Sequence, residues 1–133
     1  MRTDDKRIYI ILFLLYIAAV ATLCFMRPDN LPSVEKDFFG IPVDKAVHFI
    51  MFFPYPILSG LSFMYRKLTL GRNILIMLVL IVFGIGMAYG TEAIQRATGY
   101  RAYDMADFTA DLAGMAAGTI LTLIFITIQK TRK

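Results

Sequence analysis

The sequence predicts an all-α polytopic membrane protein, a bundle of four transmembrane helices in a single domain over residues 1–133, with both termini cytoplasmic. Three observations lead there. Hydrophobic residues make up 58% of a chain of only 133, more than a soluble domain of this size has interior to hide. Four apolar runs, at roughly 8–26, 43–64, 73–95 and 107–128, each approach the ~20 residues that a helix needs to cross ~30 Å of hydrocarbon. Backbone groups in lipid must be satisfied within their own segment, which selects helices over an open sheet. Runs of this length also lack the short alternating pattern of barrel strands.

The first run follows MRTDDKR and contains Ala19-Val20-Ala21, which has the small-residue character of a secretory cleavage site. The apolar stretch continues past it through Thr22-Leu23-Cys24-Phe25-Met26, and Leu23 before Cys24 fits a lipoprotein site poorly. A retained anchor is therefore expected. Cys24 is the single cysteine, which excludes an internal disulfide or a thiolate metal cage and leaves packing as its role. The connection RPDNLPSVEKDFFGIP (27–42) is long and proline-bearing, with Phe38-Phe39 suited to dip into the interface.

The second run opens with DKAVHF (44–49) and carries Pro54 and Pro56. These prolines predict a kink about two turns below the helix start, opening space beside His48. In the third run Gly84, Gly86 and Gly90 suit close packing; a phosphate-binding loop has no place within lipid. The fourth carries Asp104, Asp107 and Asp111 at i, i+3, i+7 on one stripe, continued by Gly114 and Gly118. That glycine pair is a small-xxx-small spacing that lets another backbone come close, so the polar stripe should face a neighbouring helix.

Charge sets the orientation. Nine basic residues lie at the N-terminus, in the 65–72 loop and in the tail, against five in the other loops and helix ends. The richer side is expected to be cytoplasmic. The net charge of +4 is thus topological, and no aromatic interleaving of the kind used on single strands accompanies it, so no nucleic-acid partner is expected. There is no nucleophile elbow, no Cys/His zinc spacing and no internal repeat. On this topology DKAVHF, TEAIQR (91–96) and YRAYDMADFTAD (100–111) all reach the outer face.

Each polar residue has a plain structural explanation. Asp104 and Asp107 suit a helix N-terminus, Lys45 can snorkel, and His48 can be an ordinary hydrogen-bonded interior residue. Together they exceed what caps and topology require. Asp111 lies ~10 Å below Asp104 along a helix, where a carboxylate is costly and marks a functional site by default. Repulsion among Asp44, Glu92, Asp104, Asp107 and Asp111 must be relieved by protonation, by nearby bases or by a bound cation. The expected site is an outer polar pocket for a lipid-linked wall precursor or a phospholipid head group, with Asp44, Lys45, Gln95 and Arg101 as binding residues and a divalent cation bridging phosphate to the acids. The alternative is a metal-assisted enzyme on such a lipid. Glu92 or His48 would be its general base, and Asp104, Asp107 and Asp111 would hold the metal. A third is an envelope assembly partner, and a homo-oligomer is compatible with all three.

With these residues placed, the chain resembles the VanZ-like family of small bacterial membrane proteins over nearly its whole length. The family's D-K-x-x-H-F matches Asp44, Lys45, His48 and Phe49; its E-x-x-Q matches Glu92 and Gln95. Its R-x-x-D-x-x-D-x-x-x-N-x-x-G matches Arg101, Asp104, Asp107 and Gly114, with Asp111 standing where the family has Asn. The resemblance implies a multi-pass protein of the bacterial cytoplasmic membrane and cell envelope. The member that names the family is associated with teicoplanin resistance, so antibiotic resistance is an expectation of the resemblance alone.

Overall fold

The structure, a computed structural model, describes residues 3–25, 37–38, 41–64, 68–99 and 104–131. It is an all-α bundle in which four helical segments are long and apolar enough to cross a membrane. The first is α1 (Thr3–Phe25). A two-residue antiparallel ladder follows, β1 (Asp37–Phe38) on β2 (Ile41–Pro42), with Asp37 opposite Pro42 and Phe38 opposite Ile41. The remainder of the 27–42 connection and the side chains of Phe38 and Phe39 lie outside the described residues.

The second span is two helices in series, α2 (Val43–Phe52) and α3 (Pro54–Phe63). Proline at 54 has no N–H to offer the carbonyl four residues back, so the ladder is interrupted where the sequence predicts it. Phe53 keeps right-handed helical dihedrals (φ −58°, ψ −42°) and its N–H reaches Phe49 O at 3.0 Å, so the break is a local interruption rather than a change of course. Tyr16 of α1 donates its hydroxyl to Met51 O at 2.7 Å beside this break, tying the first span to the second. The space opened there is an apolar groove of about 310 Å³ on the α1 side, lined by residues including Tyr16, Val20, Val47, Met51 and Pro54. His48 points the other way, toward the fourth span.

The third span, α4 (Leu70–Thr98), starts where Thr69 accepts from Arg72 N at 3.3 Å and stops at Gly99, whose φ of 69° is the left-handed cap that glycine favours. The fourth is α5 (Met105–Thr131). Asp104 caps it, with Oδ1 accepting from Ala106 N at 2.8 Å.

The second span is central, packed against α1 on one side and α5 on the other, with α4 closing on α3 and α5. Its seam with α5 depends on glycine. A Cβ at Gly114 would stand 2.2 Å from Phe49 O, and one at Gly118 2.2 Å from Phe53 O. The small-xxx-small pair is therefore used within this chain. Gly84 likewise admits Tyr55 and Met115, whereas Gly86 and Gly90 have nothing within 4 Å and do not serve the close packing expected of them. A small core of Phe52, Tyr55, Ala88 and Met115 ties the spans together. Outward faces carry exposed Leu, Ile, Val and Phe, such as Leu15, Ile50, Val82 and Phe83, a surface compatible with lipid.

Because the spans alternate in direction, the second and fourth run parallel. Their N-termini and the C-terminus of α4 gather at one end of the bundle, and the polar clusters meet there.

Candidate functional site

The site is built in tiers down the α2–α5 seam. At the rim, Lys45 in the first turn of α2 directs its ammonium among three carboxylates. It donates to Asp44 Oδ2 at 2.9 Å, to Asp104 Oδ2 at 2.5 Å, and to Asp107 Oδ1. Asp44 and Asp104 are about half exposed and Lys45 one-fifth exposed. The lysine hydrogen bond, seconded by the Ala106 amide, holds the Asp104 carboxyl below the usual carboxylate range.

One turn deeper the surroundings change. Asp107 turns its second oxygen, Oδ2, toward His48 Nε2 at 3.6 Å. The other imidazole nitrogen, Nδ1, is 2.9 Å from Asp111 Oδ1. Glu92 enters from α4, 1% exposed, beside Asp107 (7%) and His48 (2%). Ligating atoms of His48, Glu92 and Asp107 all fall within 4.8 Å of one another, as do those of Asp44, Asp104 and Asp107 at the rim. Asp107 belongs to both groups.

Two of these buried acids are incompletely satisfied. Asp111 Oδ2 has no hydrogen-bond partner, and neither has either oxygen of Glu92. The Asp104 amide is near enough to influence Glu92 but makes no bond of acceptable geometry. Burial of a polar group without a partner is costly, and of a charged one more so. The rim carries its own compensation in Lys45; at the floor the described base is His48, set between Asp107 and Asp111, and it makes no hydrogen bond to Glu92.

Of the residues singled out from the sequence, Asp44, Lys45, His48, Glu92, Asp104, Asp107 and Asp111 are brought to this one end. Asp104 serves as an N-cap as well as a lysine partner. Asp111 pairs with His48 instead of grouping with Asp104 and Asp107. Gln95 is turned to α1, where its amide donates to Cys24 O at 3.4 Å, a tie between helix ends. Arg101 lies outside the described residues.

No protein-family model, curated protein or solved structure matches the chain. The chemistry is therefore read from the residues themselves. Tyr16 is the contributor that sequence patterning misses. No spacing signals it: Pro54 and Pro56 free the carbonyls of Ile50 and Phe52, four residues back, whereas Tyr16 donates to Met51 O.

Proposed function

We propose that this chain is a multi-pass protein of the bacterial cytoplasmic membrane whose polar recess faces outward and engages the phosphate-bearing head group of a membrane lipid through a bridging divalent cation. The excess of carboxyl groups over basic groups at this end carries this reading. Among the described residues, five carboxylates converge on one lysine and one histidine, and neither oxygen of Glu92 has a hydrogen-bond partner. Lys45 is already shared among three carboxylates, so an anion arriving alone meets net repulsion. A cation between phosphate and acids reverses that sign. Outward orientation is supported by the basic residues concentrated at the opposite end. The resemblance to the VanZ-like family agrees with an envelope protein, and a part in glycopeptide resistance belongs to the same proposal.

The test is lipid binding by the purified full chain in nanodiscs, comparing an undecaprenyl pyrophosphate or phosphatidylglycerol probe with a zwitterionic lipid, with and without divalent cation. Cation-dependent retention of the anionic lipid, reduced at least tenfold by Asp107→Asn, is expected. Retention that ignores both the cation and Asp107→Asn would refute the reading, as would reporter fusions placing the 44 and 104 ends in the cytosol.

A second reading is a hydrolase acting on the same lipid. An unpartnered Glu92 beside His48 favours it, since a carboxylate without hydrogen bonds is free to take a proton. Under this reading Glu92→Gln abolishes turnover and retains lipid binding; loss of both together counts against it.

A further inference from the structure

We propose that His48, Glu92 and Asp107 form a three-ligand centre for a transition-metal ion, Zn²⁺ foremost, with Asp111 fixing the imidazole. This deepens the proposed function by specifying the cation on which that function rests.

The donors come from three different helices, α2, α4 and α5, and all three are buried. Topology brings these residues to one end of the bundle, but it does not bring three buried ligating atoms within 4.8 Å of one another, and neither does capping. His48 Nε2 and Asp107 Oδ2 stand 3.6 Å apart. Ligands of a tetrahedral zinc with bonds of ~2.0–2.1 Å are separated by about 3.4 Å, so this pair needs only a few tenths of an ångström of adjustment. Glu92 supplies the third atom, and neither of its oxygens is committed elsewhere.

The third carboxylate of the floor has a different part. Asp111 Oδ1 lies 2.9 Å from His48 Nδ1. A carboxylate accepting from Nδ1–H leaves the Nε2 lone pair facing Asp107 and Glu92, the arrangement by which metal-binding imidazoles are oriented. The ligand charges match as well: a dication among the Glu92 and Asp107 carboxylates and a neutral imidazole leaves a ligand shell of zero net charge, with the Asp111 carboxylate hydrogen-bonded just outside it.

The all-oxygen group at the rim (Asp44, Asp104, Asp107) is a poorer claimant, because the Lys45 ammonium already sits among those oxygens. The inner set, one nitrogen and two oxygens, suits zinc or manganese better than magnesium or calcium, which favour oxygen alone. Three protein ligands leave a fourth position for water or a phosphate oxygen.

The competing arrangement is a protonated His48 bridging Asp107 and Asp111 with Glu92 protonated, and it binds no metal. The two separate on tag-free full-length protein in detergent, stripped with chelator and titrated by calorimetry. One equivalent of Zn²⁺ is expected, tighter than Mn²⁺ and at least ~100-fold tighter than Mg²⁺. Glu92→Gln should weaken zinc at least tenfold, and Asp111→Leu by about 10–100-fold through the orienting bond. X-ray absorption of the zinc-loaded wild-type chain should show one imidazole among oxygen ligands, a readout that needs no variant to fold. Absent stoichiometric zinc, affinity untouched by Glu92→Gln in a variant of wild-type helicity, or a first shell without imidazole would each overturn the assignment. A zinc-loaded protein that ignores anionic lipid overturns the proposed function and leaves the metal centre standing. Anionic lipid retained with Ca²⁺ or Mg²⁺ by a chain that binds no zinc does the reverse.

Discussion

Replacing Gly114 by alanine puts a single methyl group into the α2–α5 seam. Its carbon would lie 2.2 Å from Phe49 O, 3.0 Å from that residue's carbonyl carbon and 3.2 Å from its Cα. An ordinary carbon–oxygen contact is ~3.3 Å, and the obstacle is backbone with no rotamer to offer, so the helices must part by about 1 Å. The same seam carries the His48–Asp111 contact, now 2.9 Å. Stretched to ~3.9 Å it is no longer a hydrogen bond. Overpacking of this kind costs about 1–3 kcal/mol, and leaving a buried polar pair unmade costs ~1–3 kcal/mol more. Gly114→Ala is therefore expected to lose about 2–6 kcal/mol in equilibrium unfolding in bicelles. Gly86→Ala is the control: nothing lies within 4 Å of its added carbon, and the higher helix propensity of alanine should leave stability unchanged or raised by up to ~1 kcal/mol. Wild-type stability in Gly114→Ala would refute the close approach, and with it the contact geometry of the site.

Lys45→Met removes the cation shared by Asp44, Asp104 and Asp107. Breaking a fully buried pair costs ~3–5 kcal/mol, but two of these carboxylates are half exposed, so about 1–3 kcal/mol is expected in the same unfolding assay, partly restored by adding Asp107→Asn. Asp111→Asn keeps an oxygen acceptor for His48 Nδ1 and should stay within ~1 kcal/mol of wild type. Asp111→Leu leaves that nitrogen buried and unpaired, and thermal melts should show it ~1–3 kcal/mol worse than the Asn variant. The Asp104 carboxyl is held below its ordinary value by Lys45, so its contribution to stability is present above the unfolded value near ~4 and is lost as pH falls through the lower folded value. Asp104→Asn should accordingly flatten the fall in melting temperature below about pH 4.

Much of the architecture is legible in the sequence, because lipid leaves a chain few options. Four runs of spanning length force four helices, and alternate crossings force DKAVHF, Glu92 and the aspartates of α5 to one end. The break at Pro54 is equally legible, since a missing N–H is a local fact, although the helix keeps its course there. Pairing is not. The i, i+3, i+7 spacing of Asp104, Asp107 and Asp111 says that they share a stripe and not that the stripe splits, one acid capping, one shared and one bound to His48. That division is set by how far α2 sinks against Gly114 and Gly118. Gln95 shows the same limit: its position is on the expected helix end, and rotation about the axis sends it to Cys24.

Asp107 gives its two oxygens to different neighbours, Oδ1 to the lysine above and Oδ2 to the imidazole below. Whatever lures the ammonium away from it returns electron density to the side that looks inward, and so tightens its grip on any cation there. Thermodynamic reciprocity makes the traffic two-way: a filled floor loosens the lid. Two binding events separated by one helical turn would then communicate through a single carboxylate, with no helix required to move.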